Sequence, residues 1–311
     1  MLACAQLSIA EAQEWPDRPV RILVGFGAGG GTDIVTRIVA DKLSETLGQQ
    51  FVVENRTGAG GTIAGGVVAR APNDGYTALA LSPGHTVSAV MVKQVPYHPV
   101  NDFAAVGIVA LSAYVVAVPK DSPATDLKSL VEHINKEPDK LNYSTVGVGS
   151  TQHLIAESIR QRTGMKARPL AFRTSAEVAT ALLRGDAAFT VEPYQTIRGQ
   201  VEAGDLRPIA VSTHERWPAI PSVQTLAESG FPGFGYAGWT GFVFPAGTPQ
   251  PIIDKMHKAL QQVLASEEVR KKIEDAGSIP SLSTAAEFKR QIELDIESFQ
   301  RVAKNAGLEA K

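Results

Sequence analysis

Residues 21–33 read "RILVGFGAGGGTD". Four bulky or apolar residues run into glycines, and apolar residues then recur at helical spacing: Ile34, Val35, Ile38, Val39, Leu43 and Leu47, with Gly48 as the stop. The stretch therefore reads as buried strand, glycine loop and helix start. Glycines let the backbone approach a ligand closely, and the following helix points free N–H groups at it. Thr32 suits an N-cap and Asp33 suits the first turn. This chemistry serves an anion or a polar ligand at a helix N-terminus. Gly25, Gly27 and Gly30 also spell G-x-G-x-x-G, and Glu54 follows 24 residues after Gly30, placed to hold a ribose. A dinucleotide site, a different anion site and a glycine turn needed only for packing all fit this loop taken alone.

The strand–helix alternation continues along the chain. "FVVEN" (51–55) is a strand, "RTGAGG" a loop, Thr62 to Arg70 a helix, and "YTALAL" (76–81) a third strand. Further on, "AYVVAVP" (113–119), "LNYST" (141–145), "ARPLAF" (167–172), "DAAFTVEP" (186–193), "LRPIAVST" (206–213) and "GFVFPAGTP" (241–249) are strands. Helices lie over Leu127–Ile134 and Leu154–Ile159, and the last third is helical. Thr174 with Glu177, and Thr284 with Glu287, have capping-box spacing. The pattern predicts two α/β units with mostly parallel sheets, then extra helices. "PYHPVNDF" (96–103) is a candidate linker, and "GYAGWTG" (235–241) a candidate second crossing.

Composition narrows the function. The 311 residues are 44% hydrophobic and 20% charged with a net charge of -2, which lacks the basic excess of a nucleic-acid binder. No run of 18 apolar residues occurs, so no membrane-spanning helix is expected. The one cysteine, Cys4, lies in an apolar, small-residue-rich start in which Ala10-Glu11-Ala12 has the form of a signal-peptidase site. Residues 1–12 read as a secretory leader lacking its basic beginning, with a mature chain from near Gln13. "MLAC" also fits the tail of a lipoprotein box, and a meaningless N-terminal stretch is the plain alternative. No G-x-S-x-G, H-E-x-x-H or C-x-x-C is present, and His85, His98, His133, His153, His214 and His257 have no metal spacing.

Three more strand-to-helix loops join the first: "SPGHT" (82–86), "GVGSTQH" (147–153) and "FRTSAE" (172–177). Each belongs at the carboxyl end of a strand, where open α/β sheets bind ligands. Neutral or cationic helix starts split between two units suit a small carboxylate gripped from both sides, and they do not suit catalysis. His85 and His153 each read as a ligand contact or as an ordinary half-buried histidine. Arg173 reads as a ligand clamp, since a cation opposes the dipole at a helix start. Glu192, in "TVEP", either recognises an amine or hydroxyl or caps the next helix.

Several motifs together, "WPDRPVRILVGFGAGGGTD", "VVENRTGAGGT", "APNDGYTAL", "LNYSTVGVGSTQHL", "ERWPAIPSVQTLAESGFPGF" and "WTGFVFPAGTP", make the chain resemble the Bug, or TctC-like, periplasmic solute-binding proteins of tripartite tricarboxylate transporters. The resemblance implies an α/β, two-domain periplasmic-binding-protein (Venus flytrap, type II-like) fold. Its domains would be 13–112 with 237–311, and 113–236, with crossings near 110–118 and 234–242. It implies a periplasmic monomer without cofactor or metal, binding a di- or tricarboxylate or related organic acid in the cleft and closing to meet permease subunits. The implied ligand-binding set is Phe26, Ala28, Gly29, Gly30, Thr32 and Asp33 in the first loop, and Ser82, Pro83, Gly84 and His85 in the second. From the other domain the resemblance implies Ser150 and Thr151, then Phe172, Arg173 and Thr174; Gly149, His153 and Glu192 join the candidate set from the reading of the loops themselves. Two departures stand out. The family usually has P-F-A-P-G-G in the first loop, where this chain has Gly25 and Ala28. It usually has P-Y-K-G where this chain has Ala171-Phe172-Arg173-Thr174. The readings carried forward against the transport role are an NAD(P)-dependent oxidoreductase using Gly25–Gly30, and a sensory binding protein of the same fold.

Overall fold

The computed structural model describes residues 15–137 and 141–310, so the leader reading and Cys4 lie outside the described residues. The first elements are β1 (Val20–Val24), α1 (Gly31–Leu47), β2 (Phe51–Asn55), α2 (Thr62–Ala69), β3 (Thr77–Leu81), α3 (Pro83–Met91) and the long β4 (Phe103–Pro119). Then come α4 (Leu127–Lys136), β5 (Asn142–Val146), α5 (Thr151–Thr163), β6 (Arg168–Phe172), α6 (Ser175–Leu183), β7 (Phe189–Pro193), α7 (Tyr194–Glu202) and β8 (Leu206–Val211). The chain finishes with β9 (Ala237–Pro245), α8 (Gln250–Ala265), α9 (Glu267–Asp275), β10 (Ile279–Pro280) and α10 (Ala285–Asn305).

Strand order is β2-β1-β3-β9-β4 in one half and β4-β7-β5-β6 in the other, with β10 and β8 also pairing β4. The 17-residue β4 belongs to both halves. Its pairing with β9 ends at Ala113↔Ala237, and its pairing with β7 starts at Tyr114↔Pro193. Apolar clusters follow the same division. Val24, Val39, Leu43, Phe242, Phe244 and Leu260 bury one face of the first half. Leu23, Leu79, Trp239 and Phe288 bury its other face. Leu127, Leu130, Tyr143, Ile155 and Phe189 pack one face of the second half, and Leu182, Tyr194, Ile197 and Trp217 the other. Sheets covered on both faces need strands without strict polar alternation. The 103–112 part of β4 is such a run, which explains why periodicity revealed only its second part, from 113.

Three expectations are corrected by the topology. The sheets are only partly parallel: β1, β2 and β3 run together, as do β5, β6 and β7, but β4 and β9 are antiparallel to every strand they pair. The 96–103 segment is a packed turn rather than a linker, because Tyr97 is buried against His85 and Phe103 and the Asp102 carboxylate accepts the His98 N–H. The ninth strand begins at Ala237, four residues before the expected Gly241.

Both chain crossings meet at Ser212. Its Oγ accepts the Tyr114 N–H at 3.1 Å and donates to the Tyr236 carbonyl at 2.6 Å, while its carbonyl accepts the Tyr236 N–H. Next to it the buried Asp295 of α10 accepts from Trp239 Nε1 at 2.8 Å and from Gln291.

The departure at Gly25 has a steric basis. A Cβ at this position would lie 2.7 Å from the Gly61 Cα, so the first loop and the Gly58–Gly61 turn share space that only glycine leaves. The obstruction is backbone and cannot swing away. Gly25→Ala is therefore expected to destabilise the fold by about 1–3 kcal/mol, as overpacking does. Denaturant unfolding checks this, and an unchanged midpoint would contradict the close packing of the two loops.

Candidate functional site

The first loop delivers helix α1 without a side-chain cap. Its N-cap, Gly30, is extended and no side chain bonds the first-turn N–H groups. Gly29 sits at φ +79°, a left-handed conformation that glycine adopts without strain. Residues 27–29 are exposed. The orphan N–H groups and the positive end of the helix dipole are therefore on offer to an anion. Helix α3 repeats the arrangement: Ser82 is its N-cap and makes no capping bond, and Pro83 opens the helix. The Phe26 ring joins the loops: it takes the space a Gly84 Cβ would need and lies 3.4 Å from where a Gly61 Cβ would be.

Asp33 holds the first loop in shape. Its carboxylate accepts the Gly29 N–H at 2.9 Å, Asn55 Nδ2 at 2.8 Å and Arg37 Nε at 3.0 Å, and the side chain is buried. Burial works to raise its pKa, but the bonds from Arg37, Gly29 and Asn55 outweigh it and hold the carboxyl below its ordinary value. The negative charge needed to fix the loop is thus neutralised locally and leaves the N–H groups free for a second anion.

In the second half, Ser150 Oγ caps α5 by accepting the His153 N–H at 3.1 Å. Gly149 N–H donates to His153 Nδ1 at 3.1 Å, and the His153 ring stacks on Tyr143. Buried Thr151 lies near the Tyr114 hydroxyl, which burial pushes well above its ordinary pKa. Thr174 Oγ1 caps α6, and Glu177 reaches back to the Arg173 N–H at 2.8 Å instead of the Thr174 N–H of a closed capping box. Phe172 is half-buried, and its carbonyl accepts the Gly147 N–H. Arg173 is exposed, and its guanidinium makes no hydrogen bond or ion pair with another described residue.

Glu192, at the end of β7, is fully buried. Its Oε2 accepts from Ser175 at 2.7 Å and from Thr196 at 3.2 Å, and the Gln152 side chain lies near the carboxylate. Its Oε1 has no partner. Burial pushes its pKa up to about 7, against the pull of the polar groups around it.

The two sets of loops face each other between two zones of contact. On one flank Val87 and Met91 of α3 pack with Leu154 of α5 and Phe299 and Ala303 of α10. On the other, Gln195 of α7 lies 3.5 Å from where a Gly31 Cβ would be and donates to Ser278 Oγ at 2.8 Å. Arg198 also bonds the Asp275 carbonyl there.

Some residues singled out in the sequence do other work. His85 is a core residue: its ring stacks on Tyr97, Nε2 lies 2.8 Å from the Pro99 carbonyl, and burial lowers its pKa to about 4. His153 shapes its own loop, and the Asp33 carboxylate does the same. Glu54, the acid a dinucleotide reading would give to a ribose, is bound in a fork by Arg21 at 2.7 and 2.9 Å. Asn55, Gln152 and Gln195 were missed, since single amides carry no spacing signal. Among the described residues no cluster of three His, Cys, Asp or Glu could hold a metal, and no helix is long and apolar enough to cross a membrane. A cavity of about 530 Å³ runs along α5 from Val148 and His153 to Glu157, Arg160, Arg168 and Leu308.

Two α/β halves joined by crossing strands, with uncapped helix starts along the seam, define a solute-binding protein. The model of the "Tripartite tricarboxylate transporter family receptor", TctC, matches residues 35–308. The chain belongs to this family. A UPF0065 protein of Pseudomonas sp. (strain P51) is 32% identical over 264 residues, covering 85% of this chain and 79% of the relative. Protein BugT of Bordetella pertussis is 28% identical and covers 96% and 93%. Among solved structures, R. palustris Rpa4515 with adipate has a TM-score of 0.87 at 33% identity, covering 96% of this chain and 100% of that one. MatC from Rhodopseudomonas palustris with bound malate has a TM-score of 0.82 at 27% identity, covering 93% and 99%. The fold is the two-domain periplasmic-binding-protein fold, and the family is one of periplasmic solute-binding proteins.

The buried acid has a consequence for stability. Glu192 titrates near 7 folded against 4.5 for an ordinary glutamate. Between these values the folded state holds the proton more tightly, so stability falls as pH rises through that window and levels off above it. The loss attributable to Glu192 is on the order of 3 kcal/mol. Asp295, raised to about 6 by burial, adds a similar fall at lower pH. Glu192→Gln should remove its share of the fall between pH 4.5 and about 7 in unfolding measurements, most cleanly above about pH 6 where Asp295 has finished titrating, and an unaltered pH profile would contradict the buried titration.

Proposed function

We propose that this protein captures a small carboxylate, a di- or tricarboxylate or related organic acid, in the cleft between its domains and delivers it to the membrane permease of a tripartite transporter. It does so in the periplasm, as a monomer. The observation that carries this reading is the pair of uncapped helix starts, at Gly30 and Ser82, whose nearest acid is already neutralised. The relatives crystallised with adipate and malate support the ligand class.

In this reading the domains are 13–112 with 237–311, and 113–236. They hinge where β4 changes partners and where Tyr236 returns beside Ser212. One ligand carboxylate meets the N–H groups of Gly31 and Thr32 and the start of α3 at Ser82 and Gly84. The Thr174 region and the Arg173 guanidinium approach from the other side as the cleft shuts.

Melting-temperature shifts across a panel of mono-, di- and tricarboxylates, with NAD(P) alongside, test the class. Stabilisation by carboxylates, with a smaller radius of gyration at saturating ligand, is the expected result. Stabilisation by the dinucleotide alone would overturn the reading.

Arg173→Ala should weaken binding of the best carboxylate by about one to two decades, since a charge-assisted bond contributes roughly 1.5–3 kcal/mol. Most of the loss should be in the dissociation rate, because the clamp forms on closure. Arg173→Lys should lose less, a point charge replacing a planar fork. Surface plasmon resonance separates the rates, and parental affinity in the alanine variant would remove Arg173 from the site.

A further inference from the structure

Buried acceptors without donors are costly, so each such atom asks for a partner. Among the described residues three buried side-chain atoms have none, and two of them, Glu192 Oε1 and Gln195 Oε1, lie three residues apart where β7 turns into α7. This turn is at the seam. Gln195 touches the position of Gly31, in the first turn of α1, and spans to Ser278.

The surroundings of Glu192 are polar and carry no positive charge. Gln152 comes from α5, Ser175 from α6, Thr196 from α7, and the Tyr114 hydroxyl from β4 lies close enough to feel the carboxylate. No ion pair with Glu192 forms among the described residues. The helix-capping alternative is also disfavoured, since the carboxylate accepts from the hydroxyls of Ser175 and Thr196 and from no backbone N–H of α7. A second ligand carboxylate placed here would face a like charge. The second domain thus offers two kinds of group: the exposed Arg173 guanidinium and, at the turn from β7 to α7, two acceptors without donors.

We propose that Glu192, with Gln195 beside it, selects ligands that carry a hydroxyl or ammonium donor on the part reaching the second domain, the donor's hydrogen going to Glu192 Oε1. The proposal rests on the carboxylate reading and narrows it to hydroxy and amino acids.

The test is calorimetry at pH 8, where the Glu192 carboxyl is ionised, using ω-hydroxy and ω-amino carboxylates against chain-length-matched α,ω-dicarboxylates. The parent should favour the donor-bearing acids by about tenfold or more, the range of one charge-assisted hydrogen bond. Glu192→Gln keeps the shape but turns one oxygen into an N–H donor. It should lower affinity for donor-bearing acids by about tenfold while leaving or raising that for dicarboxylates. Gln195→Leu removes the second acceptor without touching the acid, and should weaken the donor-bearing acids selectively; it decides the matter if the Glu192 variant fails to fold. Equal changes for both series, or none, would overturn the proposal and leave Glu192 as scaffold with the carboxylate reading intact. A parent that binds neither series would overturn both.

Discussion

The site depends on one constraint: helix α1 begins without a cap, and the loop before it must still hold a single shape. Asp33 resolves the conflict from inside the first turn. By taking the Gly29 N–H, the Asn55 amide and the Arg37 guanidinium, it fixes the loop and has its own charge neutralised. The N–H groups that a capping side chain would have used remain available. Helix α3, opening with Ser82 and Pro83, also lacks a side-chain cap, but it has fewer N–H groups to offer, since Pro83 has none and the His85 N–H donates to the Ser82 carbonyl. A helix start in this condition attracts an anion by dipole and by hydrogen bond together.

The second half answers with different chemistry. Helices α5 and α6 are capped by Ser150 and Thr174, so their first turns offer fewer free donors. What this half contributes is the exposed Arg173 and the buried acceptors of Glu192 and Gln195. Continuous β4 and the Ser212 bonds at Tyr114 and Tyr236 tie the halves at the crossings, while the contacts of Gln195 with Ser278 and of Leu154 with Met91 flank the seam.

Much of this was legible in residue order. The glycine loop, its strand and its helix follow from apolar spacing, as do the four strand-to-helix loops, because these signals are local. The antiparallel β4–β9 pair was not legible, since it joins residues over a hundred positions apart and the 103–112 run is apolar on both faces. The histidines misled for a related reason. His85 has a ligand's chemistry, and only the stacked Tyr97 and the Pro99 carbonyl reveal it as core. Glu192 could be read two ways until its neighbours were known, and Gln195 drew no notice because its role comes from contact across the seam. The resemblance to Bug proteins covered nearly the whole chain, yet its loop departure at Gly25 made sense only beside Gly61.

The central claim is that an anion sits on the starts of α1 and α3. A crystal structure with the best-stabilising carboxylate bound tests it most directly. The account predicts carboxylate oxygens within about 3 Å of the N–H groups of Gly31 or Thr32 and of the α3 start, a hydrogen-bonding distance. A ligand seated instead in the cavity along α5, between Arg160 and Arg168, would contradict it.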